Sequence, residues 1–180
     1  RTPNYTYDPL GRLLTTTDPD GTTTSTSYDD WSVISTDANG HQTRRTQDAF
    51  GRLARVEEFN NRQTNTTTYA YDTLGDLTRV DQWGQSPTGT VPKATTQITY
   101  DSLGRKIAMD DPDMSDWTYV YDAVDNLTSQ TDARGVAMTF TYDALNRMTG
   151  KSYADTPLTS HLTPVTYTYD DPAKSFSKGK

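Results

Sequence analysis

The sequence predicts an all-β fold: antiparallel β-hairpin repeats laid side by side into one long coiled sheet. Three observations carry that reading. A Tyr-Asp dipeptide returns along the whole 180-residue chain, its aspartates 19 to 29 positions apart. Gly, Asn or Asp follows most of these aspartates at the third position. The stretches between are rich in threonine and tyrosine, which suit a half-wet strand better than a helix. A unit recurring on this scale builds an elongated array, each unit needing its neighbours to bury its apolar face.

The units follow in order. The first is Tyr7-Asp8 with Gly11 and Arg12, and the second is Tyr28-Asp29, which lacks both the Gly and the Arg. In the third, Gln47 stands for the tyrosine before Asp48, Gly51 and Arg52. Tyr71-Asp72 with Gly75 and Tyr100-Asp101 with Gly104 and Arg105 are the fourth and fifth. Tyr121-Asp122 has Asp125 in the glycine position, and Tyr142-Asp143 has Asn146 followed by Arg147. Tyr169-Asp170 opens the eighth.

Within a unit, Phe140 and Tyr142 alternate with Thr139 and Thr141, the period-2 pattern of a strand with unlike faces. Tyr5/Tyr7, Tyr69/Tyr71, Tyr119/Tyr121 and Tyr167/Tyr169 repeat that spacing, so two rings project from one face of nearly every such strand. The aspartate at the strand end closes an Asx-type turn by accepting backbone N–H groups two or three residues on. The Gly, Asn or Asp supplies a left-handed backbone, and Arg with an apolar residue starts the returning strand. A second turn, such as Asp18-Pro19-Asp20-Gly21 or Asp132-Ala133-Arg134-Gly135, leads to the next unit. Tyrosines of neighbouring units are expected to stack as a cross-strand aromatic ladder. Eight hairpins give about sixteen strands, a strip on the order of 77 Å at about 4.8 Å per strand.

The chain reads as one array over 1–180, a piece of a longer chain, with elongated loops or hairpin ends at 82–97 and 153–165. Leu, Ile, Val and Phe fall below the roughly 20% that marks disordered chains, and mean hydropathy is −0.85. Against disorder stand a formal charge of only −7 and 12 Tyr with 3 Trp, large rings that bury area while keeping a polar handle. A pI near 4.7 and the absence of a basic patch argue against nucleic acid as a partner. There is no cysteine, so neither disulfides nor thiolate metal sites contribute. No run of apolar residues reaches the length of a membrane-spanning helix.

At Tyr7-Asp8-Pro9-Leu10-Gly11-Arg12-Leu13 and Tyr100-Asp101-Ser102-Leu103-Gly104-Arg105 the chain resembles the Rhs/YD-repeat family. The similarity runs through all eight units. In that family the repeats wind into a spiralling β-sheet shell that encloses a C-terminal toxin or effector, or form the barrel of extracellular adhesion proteins. The resemblance implies a non-enzymatic structural segment of a secreted or cell-surface protein, part of a shell or scaffold. Its expected partners are further repeats of the same chain or edge-to-edge copies of itself, and an enclosed toxin domain or a cell-surface glycan. The alternatives are an extracellular fibre subunit and a glycan-binding module.

No catalytic, cofactor or metal residue is expected. His41 and His161 lie in separate loops without triad or metal-type spacing, and read as solvent-exposed. Asp110, Asp111, Asp113 and Asp116 lack the spacing of a calcium loop and read as turn chemistry. Glu57-Glu58 read as a solvated strand end. Trp83, beside a Gly/Pro/Ser-rich stretch, is the one candidate ligand contact, through stacking on a sugar ring.

Overall fold

The computed structural model describes residues 2–60, 63–84, 92–154 and 162–170. Among them there is no helix, and hence none long and apolar enough to cross a membrane. Fifteen strands follow one another in the sheet in chain order. By contacts the chain divides into two compact units, Arg1–Gln97 and Ile98–Lys180.

In the first unit lie β1 (Asn4–Tyr7), β2 (Leu13–Thr17), β3 (Thr23–Asp29), β4 (Ser32–Thr36), β5 (Gln42–Gln47), β6 (Leu53–Asn60), β7 (Gln63–Tyr71) and β8 (Leu77–Trp83). β9 (Ala94–Tyr100) begins there, its first residues paired with β8. The second unit holds β10 (Lys106–Asp110), β11 (Trp117–Tyr121), β12 (Leu127–Thr131), β13 (Ala137–Tyr142), β14 (Met148–Tyr153) and β15 (Val165–Thr166). The strand that would return from Tyr169-Asp170 lies outside the described residues. So do residues 85–91 and 155–161 of the two expected loop expansions, His161 among them.

Consecutive antiparallel pairing puts the Tyr-Asp turns of a unit along one edge of its sheet and the second turns along the other. Register shifts at Tyr7, Gln47, Tyr71, Tyr121 and Tyr142, where the return strand carries one extra residue, as Leu14 does between the partners of Tyr7 and Thr6. Gly11, Gly51 and Gly75 sit at φ +77, +77 and +96°, and Asp125 and Asn146 take the same role at 68 and 59°. This is the type I turn with a following left-handed residue that hairpin loops of this length favour.

Among the described residues neither unit has a second layer to pack against, so burial is shallow. Val136 is the one buried hydrophobic among the described residues, and no large side chain is fully buried. Lateral contacts take over that role. On the face opposite the tyrosines, hydroxyl pairs cross between strands: Thr6 with Thr15 at 2.6 Å, Ser32 with Thr46 at 2.9 Å, and Thr139 with Ser152 at 2.7 Å. Such cross-strand pairs each add a few tenths to about 1 kcal/mol. Glu57, expected at a solvated strand end, instead lies inside β6. Its carboxylate is 2.8 Å from Arg55 Nη2 and 3.7 Å from Arg44 Nη1, because the register sets Arg44 directly opposite it.

Candidate functional site

The repeat residues converge on the Tyr-Asp turns. In the first, the Asp8 N–H donates to the Arg12 carbonyl at 2.9 Å and the Gly11 N–H to the Asp8 carbonyl at 3.0 Å. Asp8 Oδ1 accepts the N–H groups of Leu10 and Arg12, both at 2.9 Å, while Oδ2 accepts Arg12 Nε at 2.6 Å. The carboxylate thus bonds residues two and four positions on. Asp48 with Arg52, Asp101 with Arg105 and Asp143 with Arg147 repeat the arrangement. Asn126 replaces the arginine on Asp122, and Asp76 stands in its place after Asp72. Carboxylates held this way favour the ionised form. The Arg12 backbone N–H holds Asp8 below the usual range, as the Arg147 N–H does Asp143. The Arg105 side chain does so for Asp101 and the Asn126 amide for Asp122.

Each arginine also reaches the next hairpin. Arg12 stacks on the Tyr28 ring at 4.2 Å, Arg52 on Tyr71 at 4.5 Å, Arg105 on Tyr121 at 5.1 Å and Arg147 on Tyr169 at 4.5 Å. Arg105 Nη1 donates to the Asp122 carbonyl at 3.1 Å and to Asp125 Oδ1 at 2.8 Å, and Arg147 Nη1 to Asp170 Oδ2 at 2.8 Å. The tyrosine hydroxyl answers in the opposite direction. Tyr28 donates to the Leu13 carbonyl at 3.1 Å, Tyr71 to Leu53 at 2.8 Å, Tyr121 to Lys106 at 3.0 Å and Tyr142 to Leu127 at 2.9 Å. Every such hydroxyl satisfies a carbonyl at the start of the preceding return strand.

These contacts replace the expected ring-on-ring ladder. Tyrosines of adjacent hairpins lie two strands apart, roughly 9.6 Å, beyond the 4.5–7 Å of ring pairing. In the first, third, fifth and seventh hairpins arginine stands just before the strand between them, and its planar guanidinium fills the gap. The second turn departs from its expected role. Asp29 is the last residue of β3, paired with Ser32, and Asp30 at φ 42° makes a two-residue loop with Trp31. No arginine follows there, and the next hairpin carries Gln47 rather than tyrosine, its N–H donating to the Trp31 carbonyl at 2.8 Å. At this hairpin the arginine and the ring that would face it are both missing, whereas Asp76 and Asn126 also stand in the arginine position and Tyr100 and Tyr142 still follow them.

The remaining candidates sit apart from this row. His41 Nδ1 lies 3.0 Å from Asp37 Oδ2, in the place arginine holds elsewhere, on the opposite edge of the sheet. Trp83 ends β8 opposite Thr66 and donates its Nε1–H to Thr68 Oγ1 at 3.0 Å, so the ring lies back along the hydroxyl face beside Gln82 and Lys93. A cleft of about 770 Å³ opens between the third and fourth Tyr-Asp turns, walled by Phe50 and Leu74 with Arg52 and Tyr71. Among the described residues no three acidic or histidine groups converge as metal ligands.

The RHS Repeat family matches residues 7–41 and 121–157, the first two hairpins and the sixth and seventh. Over these two stretches the sequence matches Rhs repeats. Comparison with curated proteins matched none. Among solved structures, the chain is similar to a TcdB2-TccC3-Cdc42 structure, with TM-score 0.68 and 19% identity over 91% of this chain and 9% of that one. A TcdB2-TccC3 structure gives 0.68 and 20% over 86% and 8%. The Tc holotoxin pore of Photorhabdus luminescens with a substituted TccC3 gives 0.67 and 19% over 86% and 8%. At such identities the likeness shows the fold alone, an antiparallel sheet of successive β-hairpins. The chain spans less than a tenth of the length of these structures' chains.

Proposed function

We propose that this chain is a non-enzymatic structural segment of a secreted or surface protein, one stretch of a β-sheet shell that encloses a toxin or effector domain. The observation that carries the reading is the contact row itself. Most of the repeat tyrosines, aspartates, glycines and arginines are engaged in closing turns and tying each hairpin to the next, and Asp8, Asp101, Asp122 and Asp143 are held toward the ionised form by their own turn. Groups so committed build a wall. The partners are accordingly further repeats and the enclosed domain, with no cofactor.

The test is the denatured intact mass of the polypeptide from its source, followed by limited proteolysis of the native material. The proposal expects a mass far above 20.1 kDa and a segment outside the repeats that resists protease until the repeats are unfolded. A mass near 20.1 kDa, or a companion segment digested as fast in native as in denatured material, overturns it.

A further inference from the structure

The Tyr-Asp turns present a second regularity that the contact row does not use. The residue just before the left-handed position is apolar in nearly every turn and projects into solvent. In the first unit these are Leu10, Phe50 and Leu74, exposed by 77, 82 and 76%, with Trp31 at 58% on the short second turn. Leu103, Val124 and Leu145 continue the rule in the second unit at 70, 60 and 70%. A type I turn makes no demand for a large apolar side chain at this position, where polar residues serve as well. Its regular recurrence at the most exposed point of the hairpin therefore calls for a partner.

We propose that the Tyr-Asp edge of the first unit is a self-association surface, whose occupant is the same edge of a second copy of this chain. Two observations point to a copy of itself. The apolar tips repeat every two strands, roughly 9.6 Å, and only a surface with the same period stays in step along the row. Between the third and fourth tips lies the 770 Å³ cleft walled by Phe50 and Leu74, a socket open to an incoming tip. An antiparallel copy offset by half a period seats each tip between two of its partner's. The area is adequate for a modest association. Two rings and two leucines this exposed present on the order of 500 Å², at the upper end of the largest patch on an ordinary monomer. Two facing rows bury on the order of 1,000 Å², the lower bound of a specific interface. This surface is distinct from strand-edge pairing, which would join β1 to another chain through backbone hydrogen bonds.

Sedimentation velocity of the 180-residue chain over a concentration series tests this, comparing it with Phe50→Glu/Leu74→Glu. Both positions are exposed, so the variant keeps its turns, which circular dichroism checks. The proposal expects a reversible dimer and at least a tenfold weakening in the variant. A monomer at all concentrations, or association unchanged within twofold, overturns it. The chain has no cysteine, so single-cysteine chains give an independent reading. Mixed Phe50→Cys and Leu74→Cys chains are expected to cross-link under mild oxidation well ahead of Thr6→Cys on β1. Preferential cross-linking through Thr6→Cys assigns the association to strand edges and overturns the proposal even if a dimer forms.

Discussion

At Gly51 the backbone stands at φ +77° with nothing within 4 Å of where a Cβ would sit. The cost of a side chain there is therefore conformational and not steric. Gly51→Val is expected to destabilise by about 1–2 kcal/mol, the penalty of a left-handed L-residue. Gly51→Asn is expected to cost less than about 1 kcal/mol, because asparagine tolerates this region and Asn146 occupies it natively at 59°. Urea denaturation of the two variants separates them, and equal losses would refute the conformational account. Tyr71 offers a second residue-scale test. Tyr71→Phe keeps the ring under Arg52 and deletes only the bond to the Leu53 carbonyl. It should lower stability by about 0.5–1.5 kcal/mol.

At the scale of the hairpin, the arginine decides how one element finds the next. It is fixed by the aspartate of its own turn and spends its remaining N–H groups and flat face on the following turn, a geometry that lysine cannot reproduce. Arg105→Lys is expected to lower the thermal midpoint nearly as far as Arg105→Ala, although charge is retained. Full recovery with lysine would make the contact a matter of charge alone. This division also explains what was legible in the sequence. The turns were readable because Asp8, Gly11 and Arg12 act within five residues, where local rules apply. The partner of Arg12 is Tyr28, sixteen positions on, and periodicity alone suggested the wrong pairing of ring with ring. Glu57 was misread in part for the same reason, since one of its two arginine partners, Arg44, lies across a strand pair. Asp29 was misread because a two-residue loop displaced the turn by one position.

Across the molecule, stability comes from a row of repeated small contacts, since Val136 alone among the described hydrophobics is buried. The turn aspartates make that row acid-sensitive. Asp8, Asp101, Asp122 and Asp143 all titrate below the ordinary 3.8 in the folded chain. The unfolded chain therefore takes up protons first as pH falls. Their contribution is complete above the unfolded value, about pH 4, and is lost as pH drops through the folded values. Thermal midpoints should be flat from about pH 7 to 5 with respect to these groups and fall steeply below about pH 4. A midpoint that holds at pH 3 would contradict the assigned hydrogen bonds.

The coupling of neighbouring hairpins through arginine and tyrosine is tested most directly by a double-mutant cycle of Arg52→Ala and Tyr71→Ala, followed by urea denaturation. Direct contact predicts a coupling energy of about 0.5–1 kcal/mol or more. Additivity to within about 0.3 kcal/mol would mean that the two residues serve their own turns independently, and that the repeats are joined by strand pairing alone.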